Sequence, residues 1–358
     1  MILLFSISCN EDNGSEVLEP ANLTVEVDVS EDRSGNVDIT ALADNTIEYE
    51  FDLGEINSEI ITSTTGILTH QYAITGLYEI EVKAIGTSGR FVRKTIEISV
   101  QVGNPTLPVD PGNGYSTPLE YPGMTLIWQD EFSGSSLNES DWNFEIGRGS
   151  NGWGNNELQY YREENTTVAD GFLTIEAKKE DFSGSSYTSS RLTTQSKFDF
   201  KYGRVDIRAI LPKGQGIWPA LWMLGSNFSS VGWPACGETD IMEMIGGGEG
   251  RDDKTHGTIH WDDNGTKKDV GGSSQLAAGI FNDEFHVFTI IWDEDEIEWY
   301  LDDELFFTTE ITDPNLSEFR KDFFFIFNVA VGGNWPGSPN SSTSFPQKMV
   351  VDYVRVFQ

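Results

Sequence analysis

Positive charge is what this chain has least of: 23 Lys and Arg stand against 58 Asp and Glu, a net charge of −35 over 358 residues. A surface so negative repels nucleic acid and anionic membranes, and no basic stripe offsets it, so neutral partners are favoured. Cysteine is nearly absent too. With only Cys9 and Cys236, no disulfide is expected; Cys236, in phase with Glu238 and Asp240, reads as a buried inert thiol. After the first nine residues no apolar run is long enough to span a bilayer. Long helical periods are missing as well, which leaves strands. What is present suffices for folded cores, because 38% of residues are hydrophobic and ten are Trp, so this is no disordered acidic chain. The length suggests about two domains.

The N-terminal run Met1-Ile-Leu-Leu-Phe-Ser-Ile-Ser-Cys9 resembles the end of a bacterial lipoprotein signal, with Cys9 as the lipidated residue, although a basic leading segment is lacking. The first 20 residues are therefore expected to be a signal and tether. That places the protein at the cell surface or outside the cell, touching a membrane only through the lipid. From residue 21 to 102 short runs alternate apolar and polar residues, as in Leu23–Val29, Ile47–Phe51, Tyr78–Ala84 and Lys94–Val102. These are half-buried strands at sandwich spacing. The pieces Tyr49-Glu-Phe-Asp-Leu-Gly54, His70-Gln-Tyr72 and Gly76-Leu-Tyr78 resemble the immunoglobulin-like PKD domains of extracellular enzymes. Glu55 departs from that pattern, and the glycine that should follow it is missing. No catalytic set lies here; a spacer is expected, with glycan binding as the alternative, and His70 reads as a packing residue. Residues 103–122, opening Gly103-Asn-Pro-Thr-Leu-Pro-Val-Asp-Pro-Gly-Asn-Gly114, read as a Pro/Gly-rich linker. Residues 123–358 again read as β almost throughout, and many strands with Gly/Asn turns imply a two-sheet jelly-roll sandwich.

The chemistry concentrates in Gly237-Glu-Thr-Asp-Ile-Met-Glu243. Side chains two apart on a strand share a face, so Glu238 and Asp240 point together and Glu243 points away. A β-bulge at Ile241-Met242 restores Glu243 to their face, and bulges are frequent beside active sites. Glu238 and Glu243 then stand about 13 Å apart at Cα, at about 3.3 Å per residue. Leaning together, their carboxyl groups approach the ~5–5.5 Å of a retaining glycosidase pair. Three carboxylates on one face cannot all ionise cheaply, so at least one holds a proton near neutral pH. An acidic surface strand is the plain alternative. Trp218, Trp222 and Trp233 lie just upstream and offer planes for sugar rings or for packing; Trp218 and Trp222, an even number apart, share a face. His256 and His260 have no evident third metal ligand.

Residues 123–358 resemble glycoside hydrolase family 16 in its laminarinase-like branch. The resemblance rests on Trp128-Gln-Asp-Glu-Phe132, Asn155-Asn-Glu-Leu-Gln-Tyr-Tyr161, Tyr202-Gly-Arg204, Gly216-Ile-Trp-Pro-Ala-Leu-Trp-Met-Leu224, the Glu238–Glu243 motif, His256-Gly-Thr-Ile-His260, Asn328-Val-Ala-Val-Gly-Gly333 and Asp352-Tyr-Val-Arg-Val356. Thr239 replaces the family's usual aliphatic residue. The resemblance implies Glu238 as nucleophile, Glu243 as general acid/base and Asp240 between them, with no cofactor for catalysis. It implies Asn155, Arg204 and His260 near the substrate. It also implies a structural calcium away from the cleft, held by carbonyls near Glu131 and Gly171 and by the Asp352 carboxylate; Asp352 as an ordinary surface acid is the alternative. The expected protein is a monomeric endo-β-1,3-glucanase acting on neutral, laminarin-like glucan. Alternatives are a mixed-linkage β-1,3-1,4-glucanase and a non-catalytic glycan-binding surface protein. Because residues 216–250 contain no Lys or Arg, the cleft is expected to lack cations and to refuse sulfated galactans.

Overall fold

The alternation read from the sequence is realised as paired sheets in a computed structural model that describes residues 18–30, 34–55, 59–74, 76–100, 102 and 112–358. Cys9, and most of the Pro/Gly-rich stretch, lie outside the described residues. The chain divides into two units, Met1–Thr106 and Leu107–Gln358. Among the described residues no helix is long and apolar enough to cross a membrane.

In the first unit one sheet orders Ala21–Val29, Asn36–Asp44 and Ile67–Gln71, and another orders Ile61–Ser63, Glu48–Asp52, Gly76–Ile85 and Phe91–Val100. Strand Asn36–Asp44 shows the logic: Val37, Ile39 and Ala41 are fully buried while Asp38, Thr40 and Leu42 face out. Period two does this without further help. His70 packs edge-on to Tyr72 at 4.7 Å and pairs with Glu55 at 3.0 Å.

The second unit carries two large sheets. One orders Thr266–Gln275, Lys254–Asp263, Glu238–Glu243, Ile217–Gly225, Phe323–Val331, Arg191–Thr193 and Asn143–Phe144. The other orders Thr166–Ala169, Phe172–Ala177, Gln347–Phe357, Gly203–Ile210, His286–Trp292, Glu296–Leu301 and Glu304–Glu310, with Leu126–Asp130 also paired to Gln347–Phe357. Their facing sides share one core that includes Leu221, Met223, Ile241, Ile259, Ile207, Ile290, Trp299 and Val354. Strand Phe323–Val331 is buried along its whole length, which explains why every residue in it but Asn328 is apolar.

The linker boundary needs correction. Residues 113–121 belong to the second unit: Gly114 bridges Phe285, Arg208 donates to the Asn113 and Tyr115 carbonyls at 2.8 and 2.6 Å, Tyr353 and Thr117 hydroxyls meet at 2.8 Å, and Tyr121 donates to Asp206 at 2.7 Å. A Gly/Pro-rich composition marks irregular backbone, and irregular backbone can still be docked by side chains that reach it from another strand.

Candidate active site

The bulge lies at Ile241. Trp222 pairs with Asp240 and Leu221 with Met242, so Ile241 has no partner on Ile217–Gly225. Ile241 and Met242 are 2% and 0% exposed. Two consecutive apolar side chains can both enter the core only if one residue is extra, and burying each favours folding by about 1.5–3 kcal/mol. Glu243 thereby returns to the face of Glu238 and Asp240, opposite Ala220 and His256. The indole of Trp299, reaching from the other sheet, donates to the Asp240 carbonyl at 2.8 Å. Gly257 makes room for it, since a Cβ there would come within 2.3 Å of the Trp299 ring.

Burial dominates the electrostatics. It pushes Glu238, Asp240 and Glu243 each up to about 8, and the Asp240 charge adds to the rise at both glutamates. His260 and a hydrogen bond from Trp233 pull Glu238 back down, Lys267 does so for Asp240, and the Trp218 indole, donating to Glu243 Oε1 at 2.9 Å, does so for Glu243. His260 Nε2 stands 3.2 Å from Asp240 Oδ2 and 3.6 Å from Glu238 Oε1. At least one member of the set therefore holds a proton near neutral pH, while His260 favours ionisation of Glu238, so the set can both give and accept a proton.

Trp218 and Trp222 do share this face. Trp222 donates to Asn328 Oδ1 at 2.8 Å. Trp233, 46% exposed, lies 6.4 Å from the His260 ring. Asn155 comes close through Gly333: a Cβ there would lie 3.3 Å from both the Asn155 carbonyl and the Trp218 ring. Arg204 does not join them. It sits on Gly203–Ile210 in the other sheet, bonded to Asp206 at 2.8 Å and Asp303 at 2.6 Å with Tyr121 against its guanidinium. Alternation tells which side of its own strand a residue takes, and says nothing of which sheet that strand joins.

Several residues of the site face escaped the sequence reading. Arg191 lies between Trp153 and Trp222, at 4.5 and 4.8 Å from their rings, and pairs with Glu145. Glu157 is buried and takes hydrogen bonds from Gln159 at 2.6 Å and Tyr161 at 3.1 Å. Burial raises its pKa. Trp335, 41% exposed, stands edge-on to Trp218 and His256. Lys267 Nζ lies 5.3 Å over the Trp233 ring. The expectation of a cation-free face thus fails, because Arg191 and Lys267 arrive on strands far from residues 216–250. Glu157 and Asn328 stood inside the motifs quoted above; Arg191, Trp335 and Lys267 had no such signal.

The residues expected around calcium fall at or beside neighbouring positions along one strand. Strand Gln347–Phe357 pairs Val351 with Leu173 and Val354 with Asp130. Glu131 and Gly171 therefore lie at the gap between two strand ends, beside Asp352. Strand-end carbonyls with one carboxylate are the oxygen donors that calcium takes. Arg208 already holds Asp352 Oδ2 at 2.6 Å, and Arg355 clasps the Glu131 carboxylate at 2.6 and 2.8 Å, leaving the Glu131 carbonyl as the donor.

A jelly-roll sheet whose open face gathers buried, proton-holding carboxylates among indole rings defines a hydrolase of the glycosidase class. The family model "Glycosyl hydrolases family 16" matches residues 154–355, and the chain belongs to that family. It is 42% identical over 255 residues to a beta-glucanase of Rhodothermus marinus, covering 66% of this chain and 86% of that protein. It is 40% identical over 239 residues to the clotting factor G alpha subunit of Tachypleus tridentatus, of whose length it spans 34%. The solved laminarinase catalytic domain of Thermotoga maritima MSB8 superposes with a TM-score of 0.60 at 47% identity, covering 66% of this chain and 98% of that one.

Proposed function

We propose that the protein hydrolyses neutral β-1,3-glucan at internal bonds with retention of anomeric configuration. The bulge that puts Glu243 on the face of Glu238 carries this reading. Glu238 attacks the anomeric carbon and forms an ester to the sugar while the glycosidic C–O bond breaks and Glu243 protonates the departing oxygen. Glu243, now a base, takes a proton from water, which attacks the same carbon and releases Glu238. His260 beside Glu238 favours its ionised state, which suits a nucleophile. Asp240 raises the pKa of Glu243 and so helps it keep the proton it must donate. Likeness to a laminarinase supports the β-1,3 linkage.

Around this core the remaining assignments are sequence-based: lipidation at Cys9 at a bacterial surface, a spacer role for the first unit, and a monomer. A structural calcium held by Asp352 and the Glu131 and Gly171 carbonyls would brace the junction of two strand ends and take no part in the chemistry. The test is reducing-sugar release from laminarin, barley glucan and agarose, compared with the Glu238→Gln protein. Laminarin should be cleaved fastest and the variant should be inactive; faster release from barley glucan would favour a mixed-linkage enzyme.

A further inference from the structure

His260 touches two of the three carboxylates at once. Its Nε2 lies 3.2 Å from Asp240 Oδ2 and 3.6 Å from Glu238 Oε1, and one donor atom from each of the three residues falls within 4.8 Å of the others. Apart from that imidazole contact, Asp240 Oδ2 is buried and makes no hydrogen bond, on a residue only 2% exposed. A buried carboxylate oxygen left so calls for an occupant at that point. Four ligands about zinc at 2.0–2.1 Å define a tetrahedron whose edges are about 3.3–3.4 Å; the two contacts of His260 straddle that length, and the two carboxylates, within 4.8 Å of each other, need only draw together to complete the triangle.

We propose that Glu238, Asp240 and His260 form a zinc site, with water from the open face as fourth ligand, and that the ion is a reversible inhibitor. Calcium and magnesium do not suit it. They take six or more oxygen ligands, whereas this set offers an imidazole nitrogen and two carboxylates, the mixture that zinc prefers. Behind the imidazole, Asp269 Oδ1 stands 3.9 Å from His260 Nδ1, and Nδ1 is itself buried without a hydrogen-bond partner. A carboxylate that accepts from the far nitrogen of a ligating histidine is the usual support of a metal site; at 3.9 Å Asp269 is placed to supply it once it closes to hydrogen-bond distance. Among the described residues this is the one group of three such side chains so placed. The consequence for turnover rests on the reading of Glu238 as nucleophile: a carboxylate bound to zinc cannot attack a sugar, so the ion competes with substrate.

The test uses the full chain, stripped with chelator and titrated with zinc chloride in a calorimeter. Cobalt(II) absorption serves as a second readout, because tetrahedral coordination gives strong visible bands. One ion should bind per chain with tetrahedral bands, and His260→Ala should weaken that binding by at least about 100-fold, beyond the range seen for loss of a supporting residue. His260→Gln, which keeps size and polarity, guards against loss of fold and should behave the same. Zinc should raise KM for laminarin without changing kcat, and EDTA should reverse it. Equal zinc affinity in wild type and both variants, or no binding at all, overturns the site. Binding that depends on His260 but leaves laminarin hydrolysis untouched upholds the site and overturns Glu238 as nucleophile.

Discussion

The two large sheets of the second unit bury acids in opposite ways. On the sheet that carries Gly203–Ile210, each buried acid meets a partner: Asp206, 0% exposed, takes bonds from Arg204 at 2.8 Å, Tyr121 at 2.7 Å and Thr289 at 2.7 Å. Asp352 and Glu131, half-buried, likewise face Arg208 and Arg355. On the site face Glu238, Asp240 and Glu243 are buried with no arginine against them, and burial pushes all three to about 8. Paired acids hold structure together, while unpaired ones are left with protons to exchange. The contrast separates support from chemistry within one sandwich, and four experiments test it.

The largest effect belongs to the site face. Glu243→Ala should lose about 100- to 10,000-fold in turnover, the usual range for a general acid/base, and Glu238→Ala at least as much. With an activated aryl glycoside, azide should yield the α-glycosyl azide in the Glu238 variant, where it replaces the nucleophile, and the β-product in the Glu243 variant. The reverse pattern would swap the two roles. Proton NMR of early wild-type product should show the β-anomer first; the α-anomer would end the retaining mechanism.

On the other sheet the same kind of change should cost stability instead. Arg204→Ala leaves Asp206 buried without its ion-pair partner, a loss of about 3–5 kcal/mol, readable by urea denaturation. The fraction that stays folded should keep the wild-type kcat. A kcat loss without a stability loss would return Arg204 to the substrate and undo the comparison.

The reverse holds for Glu243. Its pKa is raised from the ordinary 4.5 to about 8 by folding, so the folded state binds the proton more tightly than the unfolded one. That contribution is fully present below pH 4.5 and is lost as pH rises through about 8. Glu243→Gln, which cannot ionise and can still accept from the Trp218 indole, should gain on wild type as the solution is taken from acid to alkaline across that window. The gain is at most about 1.4 kcal/mol for every tenfold fall in proton concentration. A stability difference that is flat with pH would show the carboxylate to be less desolvated than the structure has it.

How far these sites were legible depends on what each element had to satisfy. The Glu238–Glu243 bulge could be read because Ile241 and Met242 are adjacent and apolar, so a strict two-residue period would have exposed one of them. Trp218 and Trp222 shared a face by parity alone. Arg204 was misplaced because a family motif gave its strand but not the partners on its face. The docking of residues 113–121 was hidden because it is made by Arg208, Tyr353 and Asp206, all distant in sequence. Arg191 and Lys267 were missed for the same reason. A sheet face is assembled across strands, and one stretch of chain samples only one column of it.

Lys267 gives the smallest expected effect. Its ammonium lies over Trp233 and 3.8 Å from Asp269, with 44% of its side chain exposed. Burial raises Asp240 and Glu243, and the Lys267 charge opposes that rise at both. Removing the cation in Lys267→Met should therefore raise both pKa values, keep Glu243 protonated to higher pH, and move the basic limb of kcat/KM upward. An exposed charge pair contributes about 0–1 kcal/mol, so the move should stay below about one pH unit. At 1 M salt, where screening acts within about 3 Å, the wild-type limb should shift toward that of the variant. A downward shift would mean that Lys267 acts on substrate and not on the carboxylates. Sulfated galactans separate the two cases. Arg191 is engaged by Glu145 and two indoles and Lys254, beside His256, is half-buried, whereas Lys267 is exposed and more open to a sulfate than either. One screened ammonium on a chain of net charge −35 is a poor match for a polyanion. Neither wild type nor Lys267→Met should degrade carrageenan usefully, while both cleave laminarin. Carrageenan turnover that disappears with Lys267 would reassign the lysine to substrate selection and the enzyme to a charged glycan.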